Sequence, residues 1–221
     1  MTMSATLADL EARILLEDDG LIAVDKPAGW PSTGRTLEDP RCIQHLLMER
    51  LRRRVWAVHQ LDADTTGVNL FVRRKALVAH WAERLRRGRK LYVALCHGEL
   101  EGSRWRRIEE KIGWVESRRG RWVTPEGQRA VSDVRAMDSG EGLSLLEVAI
   151  KTGRNHQVRI HLAHAGHPLV GERRYLQPPC GRFGRHALHA RRLSFADGQT
   201  IEAPLPADFL ELLPPRWRQR F

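Results

Sequence analysis

The chain has 221 residues, which suffices for one large domain or two small ones. A hydrophobic share of 42% argues against a disordered or fibrous protein, and no apolar run is long enough to predict a membrane-spanning helix. The net charge of +10 favours a polyanionic partner such as nucleic acid, although an arginine-rich composition can also reflect a GC-rich genome. The few, widely spaced cysteines and the absence of a secretory signal pattern predict a cytoplasmic protein.

Apolar periodicity predicts helices and strands in an irregular order. In chain order we expect a strand at 21–24, a helix at 43–51, a strand at 68–72, a helix at 76–85, strands at 91–95, 131–136 and 143–150, and a helix at 158–165. This order lacks the regular strand–helix alternation of a parallel sheet, so it predicts an α+β fold with a mostly antiparallel sheet. No linker rich in glycine, serine or proline divides the chain, which favours one compact domain.

A polar loop with two carboxylates precedes the predicted strand at 68–72. Its sequence is HQLDADTTG at 59–67, and the carboxylates belong to Asp62 and Asp64. An acidic group on a loop anchored to a buried strand is well placed for catalysis. The alternative interpretation is a turn in which Asp64 and Thr65 bond backbone amides. The loop alone leaves both interpretations open.

Polar and basic residues also crowd the end of the predicted strand at 143–150. The segment TGRNHQVRIHLAHAGHPLVGE at 152–172 opens a helix, and Arg154 and Arg159 can each reach a carboxylate or a phosphate. Upstream, the aliphatic strand KLYVA at 90–94 contains a single aromatic residue, Tyr92. Downstream lies RHALHARRLSF at 185–195. These segments place arginines and an aromatic ring alongside the acidic loop as candidates for one site.

In this order the segments resemble the RluA family of pseudouridine synthases. The family motifs are HRLDxxTSG with the catalytic Asp, KxYxA, TGRTHQIRxHLxxxGHPIxGD and RxxLHAxxLxF, and VDKPAGW at 24–30 resembles the family's first strand and turn. The resemblance runs from about residue 14 to about residue 206. It implies a pseudouridine synthase fold, in which a mixed, mostly antiparallel central sheet is flanked by helices and loops and crossed by a catalytic cleft. We therefore expect an N-terminal extension at 1–13 and one catalytic domain at 14–213, without a separate N-terminal RNA-binding domain.

The resemblance implies that a uridine of ribosomal or transfer RNA is isomerised to pseudouridine. The C1′–N1 bond breaks and a C1′–C5 bond forms, so no atom is gained or lost and we expect no cofactor and no metal. Asp62 would act at the sugar, Arg159 would be its ion-pair partner, and Tyr92 would lie against the uracil. We expect the protein to act as a monomer.

Further residues are assigned to RNA by the same resemblance and by charge. The expected substrate-binding residues are His59, Gln60, Leu61, Thr65, Thr66, Gly67, Arg154, His156 and Gln157. Arg154 could instead brace its loop. The expected contacts to the RNA backbone are Arg73, Arg74, Lys75, Arg89 and Lys90. Trp105, Trp114 and Trp122 lie among arginines, where they could stack on unpaired bases or pack in the core.

One departure from the family motif leaves a second function open. Gln60 replaces the Arg that in relatives is thought to fill the space left by the flipped uridine. Gln60 brings no cation, so a non-catalytic RNA-binding protein is the alternative; Thr66, Asn155 and Glu172 are milder replacements. A metal-dependent hydrolase built on the regularly spaced His161, His164 and His167 is the third hypothesis. No HExxH signature supports it, and Pro168 ends the helix at once.

Overall fold

A computed structural model describes residues 6–36, 39–176 and 183–221. The chain forms two compact units: unit 1 comprises Met1–Gly88 and Ala190–Pro204, and unit 2 comprises Arg89–His189 and Leu205–Phe221. The sequence does not signal this division, because the chain returns to unit 1 without a linker. The single catalytic domain at 14–213 therefore stays a prediction. Across the described ranges, no helix combines the length and the apolar character needed to span a membrane.

Unit 1 is a sheet with helices on both faces. Its strands follow the order β1-β2-β4-β10, with β3 beside β4 and β11 beside β10. The strands are β1 (Ile14–Glu17), β2 (Leu21–Lys26), β3 (Trp56–Ala57), β4 (Thr66–Val72), β10 (Leu188–Ser194, of which 190–194 belong to unit 1) and β11 (Thr200–Glu202). The helices are α1 (Leu7–Glu11), α2 (Ile43–Leu51) and α3 (Leu77–Arg87).

Alternation along β2 shows how the core of unit 1 is built. Leu21 and Ala23 face the α3 side with Trp81, whereas Ile22 and Val24 face the α1 and α2 side. Because both faces are covered, β2 and β4 appear in the sequence as nearly unbroken apolar runs. Leu10 of α1 is fully buried, so the segment expected to be an extension contributes to this core.

Unit 2 is an antiparallel sheet in the order β5-β9-β8-β6-β7. The strands are β5 (Arg89–His97), β6 (Arg106–Val115), β7 (Gly120–Val123), β8 (Gln128–Gly140) and β9 (Leu143–Ile150). The helices are α4 (Gln157–His164), α5 (Ala207–Leu212) and α6 (Pro215–Arg218). The predicted class, α+β with a mostly antiparallel sheet, is confirmed.

The two faces of the unit 2 sheet carry different elements. Tyr92 lies opposite Val148, and Val148 lies opposite Val134, so these residues share a face with Ser132, two positions before Val134. Ser132 bonds the side chains of two α4 residues, and α4 therefore covers the face that carries Tyr92. We call this the front face. On the opposite back face, one end of the sheet packs against α5 and α6.

Candidate active site

Asp62 lies in a tight turn between β3 and β4 of unit 1. The carbonyl of Asp62 accepts a hydrogen bond from the N–H of Thr65 at 3.0 Å. The fully buried β4 begins at the next residue, Thr66, so the turn has a rigid base. Asp62 is half-buried, whereas its neighbour Asp64 is exposed. Of the two carboxylates in this loop, Asp62 is the better shielded from water.

A buried lysine from β2 clamps this turn. The side chain of Lys26 is fully buried, and its Nζ donates to the carbonyls of Pro27 at 2.9 Å, Trp30 at 2.7 Å and Ala63 at 2.6 Å. Ala63 directly follows Asp62, so the ammonium holds the backbone of the turn from 37 residues away. Lys26 had no role predicted from the sequence. The signal for it was a pair of charged residues, Asp25 and Lys26, at the end of a strand whose first four residues are apolar.

Side chains on either side of the turn fix the residue before Asp62. The Ser32 Oγ accepts from the N–H of Leu61 at 3.0 Å, and Leu61 itself is 8% exposed. The Asn69 Nδ2 donates to the carbonyl of His59 at 3.0 Å, and the Nε2 of His59 accepts from the N–H of Leu70 at 3.2 Å. That acceptor role requires Nε2 of His59 to be unprotonated. The backbone leading into Asp62 is therefore held at several points.

Gly67 has a packing role, and its predicted substrate contact stays a prediction. Its φ is +107°, and a Cβ at this position would lie 2.2 Å from the carbonyl oxygen of Ala190 in β10. Only glycine permits this approach of the two strands. The neighbouring Thr65 and Thr66 are each 2% exposed, which places them inside the unit. Gln60 is exposed, and its Nε2 donates to Thr33 Oγ1 at 3.0 Å.

In unit 2, Arg159 on α4 is held by a buried carboxylate. Its Nε and Nη2 donate to the two carboxylate oxygens of Glu172 at 2.8 and 2.9 Å. Burial opposes the ionisation of Glu172, but the bonds and charge of Arg159 and the N–H of Arg174 prevail and lower its pKa to about 2. From the sequence, Glu172 was only a mild replacement within the family motif. The guanidinium of Arg159 is thus fixed in place by a residue at the end of the same motif.

Tyr175 supports the same region of unit 2. Its hydroxyl lies 2.7 Å from the Nδ1 of His156, and its ring packs edge-on against Trp122. The guanidinium of Arg159 lies 5.3 Å from the centre of the Tyr175 ring. Tyr175 was missed by the sequence analysis because it lies outside the motifs. Trp122 is half-buried beside it, which favours the core-packing interpretation for this tryptophan.

Gln157 organises the loop before α4, and its predicted substrate-binding role stays a prediction. It is 3% exposed, and its Nε2 donates to the Val131 carbonyl at 2.9 Å and to Ser132 Oγ at 3.0 Å. Its Oε1 accepts from Thr152 Oγ1 at 2.7 Å and from the N–H of Arg154 at 3.1 Å. These four bonds use the whole amide. The Nε of Arg154 donates to a carbonyl of β8. This hydrogen bond braces the loop, as in the alternative interpretation of Arg154.

The cations expected to contact the RNA backbone fall into different surroundings. Arg73 is mostly buried and forms an ion pair with Glu17, and its predicted contact with RNA stays a prediction. Arg74, Lys75 and Arg89 are exposed, as a backbone contact requires. Lys90 is half-buried on the front face, where burial and the charge of Lys151 lower its pKa.

The two histidines of α4 have different surroundings. His161 is fully buried, its Nδ1 lies 3.0 Å from Ser132 Oγ, and burial lowers its pKa to about 4. His164 is exposed and lies 3.9 Å from Glu110. Among the residues that the structure describes, no group of three or more His, Cys, Asp or Glu side chains is placed to hold a metal ion.

Comparison with known proteins identifies the family. The family model described as RNA pseudouridylate synthase matches residues 20–164. The chain is 34% identical to the ribosomal large subunit pseudouridine synthase D of Pseudomonas aeruginosa, over 93% of this chain and 72% of that protein. The chain belongs to the RluA family of RNA pseudouridine synthases. The synthase is thus an isomerase.

Further relatives agree with this assignment. An uncharacterized RNA pseudouridine synthase, YhcT of Bacillus subtilis, is 34% identical over 217 residues, or 91% of this chain and 71% of that protein. The solved structure titled human RNA pseudouridylate synthase domain containing 4 superposes with a TM-score of 0.78 at 22% identity and covers 92% of both chains. That structural match shows that the synthase has the pseudouridine synthase fold.

Proposed function

We propose that the synthase modifies a uridine of large-subunit ribosomal RNA in the cytoplasm, as a monomer, with Asp62 as its catalytic carboxylate. The ribosomal substrate is suggested by the names of relatives such as the Pseudomonas aeruginosa protein. The choice of Asp62 is supported by the turn that carries it, which Lys26 clamps and β4 anchors. A catalytic group has to be held within a narrow range of positions, and this clamp provides such a support.

The bonds that break and form in the reaction determine the role of Asp62. The C1′–N1 bond of the uridine breaks, the uracil turns over, and a C1′–C5 bond forms while the C5 proton leaves and N1 is protonated. Asp62 acts at the sugar, either as a nucleophile or as a base, and must be ionised in both cases. A cation close to the reacting carboxylate favours that form. Arg159 is the cation that the family motif supplies, and Glu172 restrains its side chain.

Access to the uridine requires the nucleotide to leave its stack. Flipping a base out of a helix costs about a few kcal/mol, and less for an unpaired nucleotide. Gln60 is exposed next to the Asp62 turn and takes the place of a cation in the family motif. We therefore expect the target uridine to lie in an unpaired or weakly stacked region. Tyr92 offers a flat ring to the everted uracil, and its hydroxyl oxygen accepts the C5 proton while the hydroxyl releases its own proton to solvent.

The test compares variants of the two carboxylates in the loop. Ribosomal RNA from a host that lacks the gene is incubated with the wild type, Asp62→Asn or Asp64→Asn, and pseudouridine is mapped by carbodiimide adducts. We expect the wild type and Asp64→Asn to form product at similar rates and Asp62→Asn to be slower by at least about a thousandfold. Equal rates for the wild type and Asp62→Asn would remove Asp62 from the mechanism. RNA binding by the wild type without product would favour the non-catalytic alternative.

A further inference from the structure

A surface recess of about 540 Å³ lies in unit 2, on the face of the sheet opposite Tyr92. Its floor follows the strand register, because Arg107 of β6 lies opposite Asp133 of β8, and Asp133 lies opposite Ala149 of β9. Ala149 in turn lies opposite Leu91, which is adjacent to Tyr92 and therefore points to the other face. The recess is on the back face. It is lined by Arg89, Trp105, Arg107, Asp133, Ala149 and Lys151.

The charge of this recess is unbalanced. It is lined by three cations and one carboxylate, and that carboxylate, Asp133, is used by Arg107 at 3.0 Å. Arg89 and Lys151 are both exposed, and within the described ranges neither forms an ion pair. Two uncompensated cations at one recess produce a local positive potential that attracts anions.

An exposed indole organises the cations. Trp105 is 38% exposed, and the guanidinium carbons of Arg89 and Arg135 each lie 4.8 Å from the centre of its ring. Arg89 comes from β5 and Arg135 from β8, so the indole connects two strands that β9 separates. The ring face restrains each guanidinium by a cation–π interaction. Arg89 is therefore ordered before any ligand arrives, which reduces the entropy lost on binding.

We propose that this recess binds the phosphodiester backbone of a single-stranded segment of the RNA substrate, away from the target uridine. The identity of the RNA rests on the proposed function, but the site does not. Arginine and lysine bind phosphate oxygens, and indole and guanidinium planes stack on unpaired bases. An acidic peptide would satisfy the charge but would not need the exposed ring. Because the recess is on the back face, it contributes to the affinity for RNA and not to the chemical step.

The test measures RNA binding in the absence of a target nucleotide. Fluorescence anisotropy with a labelled oligoadenylate of about twelve nucleotides, titrated over a range of KCl concentrations, reports both the Kd and its salt dependence. We call the double variant Arg89→Gln with Lys151→Gln the recess pair, and we expect its Kd to rise about tenfold. The slope of log Kd against log salt should fall by about 1.4, or about 0.7 for each phosphate that the variant no longer neutralises. The matched control, Arg53→Gln with Arg54→Gln, removes two exposed charges from unit 1 and should change the Kd by less than about twofold.

Further variants examine the ring and the ligand class. Trp105→Ala should raise the Kd about threefold, whereas Trp105→Phe keeps a ring and should stay close to the wild type. The proposal is overturned if the recess pair loses no more affinity than the control pair, or if polyglutamate binds the wild type as tightly as the oligoadenylate. Lys151→Gln alone provides a single exposed substitution if the double variant does not fold.

Turnover separates this site from the proposed function. The recess pair should raise the KM for RNA and leave kcat unchanged, whereas Asp62→Asn should abolish product and leave oligoadenylate binding intact. Loss of kcat in the recess pair would contradict a site remote from the chemistry. Failure of the wild type to form pseudouridine would contradict the proposed function. The binding experiment would still show whether the recess binds RNA.

Discussion

Two buried carboxyl groups, one in each unit, respond to burial in opposite ways. Asp25 in β2 has a pKa raised from 3.8 to about 6, because burial outweighs the attraction of Arg13 and Lys26. Glu172 in unit 2 is also buried, but its pKa is lowered to about 2. Burial raises the pKa in both cases, so the difference has to come from the partners of the two groups.

The partners differ in geometry more than in number. Glu172 accepts two charge-assisted bonds from Arg159 and two from backbone N–H groups. Asp25 has Arg13 at 3.8 Å, and the ammonium of its neighbour Lys26 donates to backbone carbonyls. Close, directed donors stabilise a buried anion more than a nearby charge that bonds other groups. Unit 2 therefore fixes a side chain through an ion pair, and unit 1 fixes a stretch of backbone through a lysine.

The largest expected effect comes from breaking the ion pair in unit 2. Glu172→Ala leaves the mostly buried Arg159 without its carboxylate and should lower the free energy of unfolding by about 3–5 kcal/mol. Urea unfolding at pH 7 measures this loss. Since the pKa of Glu172 rises from about 2 to about 4.5 on unfolding, its stabilising effect is complete above pH 4.5 and declines toward pH 2. A loss below about 1 kcal/mol at pH 7 would mean that the pair contributes little.

Removing the lysine of unit 1 should have the next largest effect. Lys26→Met leaves the three carbonyls without their donor and should cost about 2–3 kcal/mol in the free energy of unfolding. The exposed Lys75→Met is the control and should cost less than about 0.5 kcal/mol. The pKa of Asp25, followed by NMR titration, should rise further because the charge of Lys26 lowers it. An unchanged Asp25 titration would show that the two groups are not coupled.

The third effect sharpens the comparison through pH, because it disappears in acid. Asp25→Asn removes an acid whose pKa is about 6 in the folded chain and 3.8 when unfolded. Ionisation of Asp25 opposes folding as pH rises from about 4 to about 6, so the variant should match the wild type near pH 4. Above pH 7 it should be more stable by about 2–3 kcal/mol. Thermal unfolding across this range, with the exposed Asp19→Asn as a control for charge, measures the difference. A constant difference at all pH values would contradict this origin.

The strand that carries both groups shows what the sequence could predict. The apolar pattern predicts a strand at 21–24, and the structure extends it to Lys26 by pairing Asp25 with Val68 and Lys26 with Gly67. Two charged residues normally indicate the end of a buried strand. Here one of the three carbonyls that accept from Lys26, that of Ala63, lies 37 residues away in sequence, and local patterns do not contain that information. The helix at 43–51 and the strand at 143–150, by contrast, match α2 and β9.

Strand β6 was not predicted, for a related physical reason. Its ten residues carry charges on both faces, so neither alternation nor an apolar run identifies it. It forms because β8 pairs with it residue by residue, and because ion pairs such as Arg107 with Asp133 join the two strands. Arg107 and Asp133 also line the recess of unit 2. For the candidate site, motif resemblance named Asp62, Tyr92 and Arg159, whereas Lys26 and Glu172, which support two of those segments, emerged only from tertiary contacts.

Lys26 also makes the opening of the Asp62 turn observable. Amine-acylating reagents modify accessible lysines, and Lys75 is exposed whereas Lys26 is fully buried with its ammonium on three carbonyls. Acylation of Lys26 therefore requires the loop to detach from β2, and the reaction rate reports the free energy of that local opening. Mass spectrometry of the peptides that contain Lys26 and Lys75 would measure the rate at which the Asp62 turn opens.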